Sequence, residues 1–478
     1  MKKAVMLPLV AAISGAMIGC GGGGGGGSST PPPAVKSYTF QFIQMEVNKD
    51  PSAISCPNTS SPTIFKYYDN GNIDFAKVAA GAIDIHTYNA DGSFNKNLSG
   101  SLGSDGKLTL TVNDVEDGGY VTIIDNLGSS SSPILHTLSI QKELLSNLLI
   151  NVESLQGNQA SCYVSNKMVN NELEKKVSLG SQDPSISIDE YSYETYVEGY
   201  NSSTATIKAD IPATSNSEQV LFTGLSSGEV VAATLVKASD LTDNSSSTPG
   251  TVELNTLDNT SDLVWDISTS QTINDAYALA YTSSTSFKWQ ELSQSSSSIK
   301  TLGEMNFSVL LDGSEAGWNV VSNTRLNSNL VSTDIKLTEA TISSGITPQV
   351  NSCSSGCVVD TANAVSSNLN GFQRSYFEVA ADSKHTIYAS IPDNSETVIP
   401  DYNIDSSYKP TDGLLPEISF FYTKDSVNDD FVQFAMTKYN SPGSTDTFVD
   451  KVSVVALPSE SLLDKQKNAS LQYEVVEK

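Results

Sequence analysis

Residues 81–125 read "GAIDIHTYNADGSFNKNLSGSLGSDGKLTLTVNDVEDGGYVTIID", and the period of this stretch decides the fold class. In "GKLTLTV", Leu108, Leu110 and Val112 alternate with Lys107, Thr109 and Thr111. A two-residue period sends apolar side chains to one face and polar ones to the other, the mark of a half-buried strand. The punctuation "NADG", "GSDG" and "EDGG" pairs an acid or Asn with a Gly, which supplies the positive φ of a hairpin turn.

The same grammar extends outward. "SYTFQFIQMEV" sets Tyr38, Phe40 and Phe42 on one face, and "DNGN" marks another turn. Helical spacing is scarce: in "KELLSNLLINVESL" Leu144, Leu148 and Val152 share a stripe, although "SNLLINV" reads almost equally well as a strand. "PEISFFYTKDSVNDDFVQFAMTKY" reads as a hairpin contributing Phe420, Tyr422, Phe431 and Phe434 to a core. Many short strands with regularly spaced turns predict an all-β body of antiparallel sandwiches rather than an α/β fold. No internal repeat is evident, so a propeller or solenoid is not expected. Three segments are expected, 37–182, 183–298 and 299–478, parted near Asp183-Pro184 and within "SQSSSSIKTLG".

Residues 81–125 are similar to immunoglobulin-like modules of the carboxypeptidase-regulatory or transthyretin-like type, which run strand, acidic-Gly turn, strand, DG turn and strand in this order. The resemblance implies an Ig-like sandwich and no activity.

Ahead of this body stands "MIGCGGGGGGGSSTPPP", residues 17–33. Lys2 and Lys3, an apolar run and a small-residue end form a secretory signal over 1–19, too short for a comfortable permanent span. Met17-Ile18-Gly19-Cys20 resembles the lipobox of bacterial lipoproteins, with Met17 in place of the favoured Leu. The resemblance implies cleavage before Cys20 and acylation of its thiol and new amino group, a covalent lipid that anchors the chain to the membrane. The Gly/Ser tract 21–29 is then a flexible tether, and Pro31 to Pro33 a stiffer piece, so that 20–36 separates membrane from body. The tract matches GxGxxG only because a glycine homopolymer must, and no cofactor is expected there. Gly21 after the cysteine looks like an outer-membrane address in a Gram-negative host. The acyl-Cys, polyglycine start and overall size resemble lipoproteins described as flagellar sheath proteins.

Charge agrees with export. Removing 1–19 deletes two lysines and no acid, leaving 25 basic residues against 54 acids, a net charge of −29. Such a body is repelled by phosphate backbones and anionic lipid, so nucleic acid is not an expected partner and only the lipid should hold the chain to a membrane.

Four cysteines follow Cys20. Their even number in an exported chain favours disulfides, and spacing favours Cys56 with Cys162 and Cys353 with Cys357. A metal site at the latter needs further ligands, and the three histidines, His86, His136 and His385, lack suitable spacing to it. For calcium, "DNGNID" and "NDVEDGG" offer Asp69, Asp74, Asp114 and Asp117, but neither has EF-hand order, and hairpin turns account for both.

"FTGLSSGEV" contains G-x-S-x-G at Ser226, but β-branched "EVVAATLV" follows instead of a helix, so a hairpin turn is the better reading than a nucleophile elbow. His86 is expected on the outward face of its strand, and no base is evident. HExxH and P-loop patterns are absent. In "DEYSYETYVEGY", Tyr191, Tyr193, Tyr196 and Tyr200 interleave with acids, either as an exposed surface for glycan or protein or as an edge strand with its tyrosines half over the core. The sequence therefore leads to a non-enzymatic, lipid-anchored outer-membrane protein, a surface coat, adhesin or sheath component. A periplasm-facing accessory is the alternative, and a glycan-active enzyme comes third.

Overall fold

The strand Ser37–Lys49 shows how the alternation becomes architecture. It pairs antiparallel with Lys107–Thr111, Tyr38 opposite Leu110 and Phe40 opposite Leu108, so the apolar faces of both strands coincide. Its other edge runs parallel to Leu148–Asn151, and its second half pairs antiparallel with Ile73–Val78. Phe40 and Phe42 are fully buried, each stabilising the fold by about 1.5–3 kcal/mol.

This computed structural model describes residues 35–478 except 57–61, 69, 82, 129–133, 154–160, 166–172, 196–198, 203–205, 214, 258, 328–331, 355, 380–382, 403, 405–407, 416, 439–451 and 458–465. The architecture is an all-β, multi-sheet sandwich. A twelve-stranded sheet runs in the order 286–291, 271–281, 306–315, 318–325, 473–477, 417–423, 370–379, 383–390, 135–141, 120–126, 83–88 and 94–97. All its pairs are antiparallel except Ser383–Ser390 beside Leu135–Gln141. One face meets the six-stranded sheet of Ser37–Lys49 and the helix Asp429–Lys438, where Phe40, Phe42, Phe372, Phe421, Phe431 and Phe434 share a core. The opposite face carries a second core containing Trp318, Phe420 and Tyr402. An eight-stranded sheet within 173–256 has a third core around Tyr193 and Phe222.

Residues 81–125 cross between layers. Ile83–Tyr88, Phe94–Asn97 and Tyr120–Asn126 lie in the large sheet, whereas Lys107–Thr111 turns into the facing one. The Asp105-Gly106 turn needs its glycine, because φ is +70° and a Cβ would stand 2.7 Å from the Ala79 carbonyl oxygen.

The three expected segments are not how the sheets divide. Strands from all three enter the twelve-stranded sheet, and Lys36–Lys478 forms one compact unit. Pairing of 383–390 with 135–141 joins segments about 250 residues apart, a long-range choice that local turn chemistry does not encode. One element takes the strand alternative of its local reading, and one differs from its local reading. "KELLSNLLINV" is a 3-10 turn, Lys142–Leu144, followed by the strand Leu148–Asn151. The supposed hairpin is a strand, Glu417–Thr423, followed by the helix, whose start Asn428 caps by accepting the Phe431 N–H at 2.9 Å.

Cys56 is bonded to Cys162 and Cys353 to Cys357, as spacing favoured. The first bond joins positions 106 residues apart, and Cys162 is buried against Ile73 and Phe75. Restricting a loop of that length in the unfolded chain stabilises the fold by roughly 4–5 kcal/mol. Cys56→Ser with Cys162→Ser should lower the denaturant midpoint accordingly; an unchanged midpoint would show that the bond adds nothing.

Candidate functional site

Tyr191 and Tyr193 do not form an exposed surface. Glu190–Glu194 pairs with Gly199–Ser202 and with Gln219–Ser226, placing Tyr193 opposite Tyr200 on one side and Phe222 on the other. Tyr193 is 2% exposed within the third core, and Tyr191, two residues away on the same face, packs half-buried against it. This corrects the ligand-surface reading for both. The side chain of Tyr200 and all of Tyr196 lie outside the described residues. The outward side of this strand instead presents Glu190 and Ser192.

The calcium candidates Asp74, Asp114 and Asp117 are engaged by the protein itself. Asp74 is buried, accepting the Asn48 N–H at 2.7 Å and the Tyr68 hydroxyl at 3.1 Å. Asp114 closes a capping box with Thr111 and pairs with Lys96. Those backbone and hydroxyl hydrogen bonds from Thr111 help hold its carboxyl below the usual range, against the cost of burial. Asp117 pairs with Lys142 at 2.7 Å, which likewise depresses its pKa. Asp69 lies outside the described residues. Among the described residues, no three His, Cys, Asp or Glu converge as a metal site.

Glu190 and Ser192 open onto the groove that is the candidate site, about 660 Å³ in volume. Its other walls are the turn Ser227-Gly228-Glu229, the strand Ser286–Glu291 and the serine loop 293–296. The turn has Ser227 at φ +53° and Gly228 at φ +83°, a two-residue hairpin of the left-handed kind. G-x-S-x-G is thus a hairpin here. The Ser226 hydroxyl donates to Asp189 at 3.4 Å, and the same carboxylate oxygen accepts the Ser227 N–H at 3.0 Å. A register shift against Gln271–Tyr281 leaves Trp289 as the extra residue of a bulge. Lys288 and Glu291, which a regular strand would send to opposite faces, meet at 2.9 Å, and the Lys288 ammonium lies 4.0 Å from the centre of the Tyr277 ring. The Gln290 side-chain oxygen accepts the Val230 N–H at 3.3 Å, tying the strand to the hairpin.

Chemically, the groove offers serine hydroxyls and the carboxylates of Glu190, Glu229 and Glu291, with its one lysine neutralised by Glu291. Such walls hydrogen-bond a neutral, hydroxyl-rich ligand and repel a phosphate. The sequence reading missed the groove because its walls come from three separate strands. The alternation itself carried the signal: wherever Tyr191 and Tyr193 face inward, Glu190 and Ser192 must face out.

No histidine lines the groove among the described residues. His86, expected to point outward, is buried, because Phe94 covers it edge-on at 5.3 Å and Tyr88 lies beside it. Burial pushes its pKa below 6.5, with the Asp84 charge working against the shift. His136 lies 3.4 Å from Glu153. His385 is fully buried, stacked between Phe377 and Tyr402, with its two ring nitrogens 2.9 Å from the Thr137 hydroxyl and 3.2 Å from the Tyr408 carbonyl.

No protein-family model matches the chain, and no curated protein matches it. Among solved structures it is similar to the Bacillus anthracis TIE protein, at 8% identity over 83% of this chain and 70% of that one, with a TM-score of 0.12. A likeness at that score carries no argument.

Proposed function

We propose that this chain is a lipid-anchored outer-membrane protein whose all-β body stands off the cell surface as a non-enzymatic coat or adhesive component. The observation that carries it is Met17-Ile18-Gly19-Cys20 behind a charged, apolar leader and ahead of the Gly/Ser tract. The Gly/Ser tract 21–29 lies outside the described residues; its composition is that of a spacer between an acidic body and anionic headgroups. The resemblance to flagellar sheath lipoproteins makes the sheath an expected address.

Cys20→Ala should abolish incorporation of labelled palmitate and release the body from the membrane fraction, since no acyl chain remains to hold it. Continued membrane association of the unlabelled variant would refute lipid anchoring. Protease shaving of intact cells, with a periplasmic lipoprotein as leakage control, should remove the body and spare the control. Protection until the outer membrane is opened would instead support a periplasm-facing accessory.

The groove favours adhesion over a purely passive coat, because a coat requires no recess with convergent hydrogen-bonding groups. Glu229→Lys, at an exposed turn, should weaken attachment to a glycan-coated surface by about tenfold while leaving stability within about 0.5 kcal/mol. Unchanged attachment would return the protein to a structural role.

A further inference from the structure

The cleft beside Cys353 and Cys357 combines reactive and charged groups that the anchoring reading does not use. It measures about 490 Å³ and is lined by both cysteines with Asp91, Asp401, Lys409 and Pro410. Both cysteines are half-buried, and their bond closes a span of only four residues. The hairpin flanking them, Gln349–Asn351 with Val358–Asp360, has its own backbone ladder, and Val350 and Val359 are buried in the core. Opening the bond therefore leaves the fold anchored on both sides.

We propose that Cys353–Cys357 is a thiol–disulfide exchange site that accepts small thiols, neutral or cationic ones in preference to anionic ones. A thiolate attacks one sulfur, forming a mixed disulfide as the other cysteine leaves as a thiolate. A second thiol then attacks the mixed disulfide, so that two thiols become one external disulfide and the pair takes up two electrons and two protons. Access and leaving-group stability both favour this bond. Its departing thiolate enters a polar cleft, whereas attack on Cys56 would drive a thiolate at Cys162 into the apolar contacts of Ile73 and Phe75, an environment that disfavours the charge. Attack on Cys162 itself is obstructed, since it is 3% exposed. The charge preference follows from the walls: Asp401 is paired with Lys409, Asp412 accepts the Cys353 N–H at 2.9 Å, and Asp91 adds a further negative charge. An anionic thiol meets net negative charge at the mouth.

The test treats the native protein with cysteamine or with 2-mercaptoethanesulfonate, quenches with iodoacetamide and reads each cysteine by mass spectrometry. Cys353 and Cys357 should become alkylated at least about tenfold faster than Cys56 and Cys162, and faster with cysteamine at equal thiolate concentration. Equal rates at the two pairs, or faster opening of Cys56–Cys162, would overturn the site. Equal rates for the two thiols would overturn the charge preference. The Cys353→Ser, Cys357→Ser variant should lose the fast phase entirely; a fast phase that persists would place the reactivity elsewhere. The wild-type rates decide the matter even if that variant folds poorly.

Discussion

Arg374→Ala is expected to destabilise the body by about 3–5 kcal/mol, because it removes the cation from a buried charge cluster and leaves its partners behind. Arg374 is fully buried in the strand Asn370–Val379, its Nη1 3.4 Å from a Glu417 carboxylate oxygen and its guanidinium 5.4 Å from the centre of the Tyr376 ring. Pairing puts Arg374 opposite Ser419 and Ser419 opposite Glu477, so that one row holds the cation and a second acid. Burial raises the Glu477 pKa, and the Arg374 charge restrains that rise. An acid whose folded pKa lies above its unfolded one detracts from stability at pH values above the unfolded pKa, and the penalty fades as pH falls through the folded value. Removing Arg374 should therefore enlarge the deficit at pH 7 and narrow it toward the carboxylate range. Urea midpoints for wild type and variant across pH 4.5–8 read both effects. A loss below 1 kcal/mol at pH 7, or a deficit independent of pH, would refute the account. Arg374→Met with Glu417→Gln removes both charges of the closest pair and should recover part of the loss.

The strands of this body were legible in the sequence because each alternation is local: Leu108 and Leu110 face the core for the same reason that Thr109 does not. The turns were legible too, since Gly71, Gly92, Gly106 and Gly118 all adopt the positive φ that their motifs predict. The partnership of strands was not. Nothing within "LHTLSIQ" indicates that it will lie parallel to "SKHTIYAS" rather than beside a nearer strand, and that single choice fuses segments that turn chemistry would part. The helix Asp429–Lys438 was hidden by Phe431 and Phe434, which suit a strand equally well, although Asn428 followed by Asp429 and Asp430 is a start signal: a cap and two acids at the positive end of the helix dipole. The groove depends on a bulge at Trp289, and a bulge shifts register without changing composition. His86 shows the converse limit. Alternation predicts its face, but Phe94 across the hairpin buries that face as well.

His385 is expected to make the body acid-sensitive well above the range in which carboxylates titrate. Burial pushes its pKa down from 6.5 to about 3, the Tyr408 carbonyl opposes this by accepting from Nε2, and the neighbouring His136 adds to the depression. The groups packed on the ring are Phe377, Tyr402 and the Thr137 hydroxyl, none of which supplies a negative charge to hold a proton there. The folded chain keeps the ring neutral while the unfolded chain protonates it near pH 6.5, so the unfolded state binds the extra proton. Stability then holds above pH 6.5 and falls by about 1.4 kcal/mol per pH unit between 6.5 and 3, where the folded ring would also protonate. Asp91, Asp114 and Asp117 have depressed pKa values and lose their stabilising contribution only at lower pH; between pH 6.5 and about 4.5 His86 adds to the loss at His385, while Glu474 and Glu477, whose pKa values burial raises, work against it. His385→Gln retains an amide able to donate to the Tyr408 carbonyl and accept from Thr137 but cannot take up a proton. The variant should be less stable at pH 7, having lost the ring stack, yet show a shallower slope between pH 6.5 and 4.5. A slope equal to that of wild type would show that the acid response originates elsewhere. A His385 ring resonance titrating above pH 5 in the folded protein would refute the burial that the argument rests on.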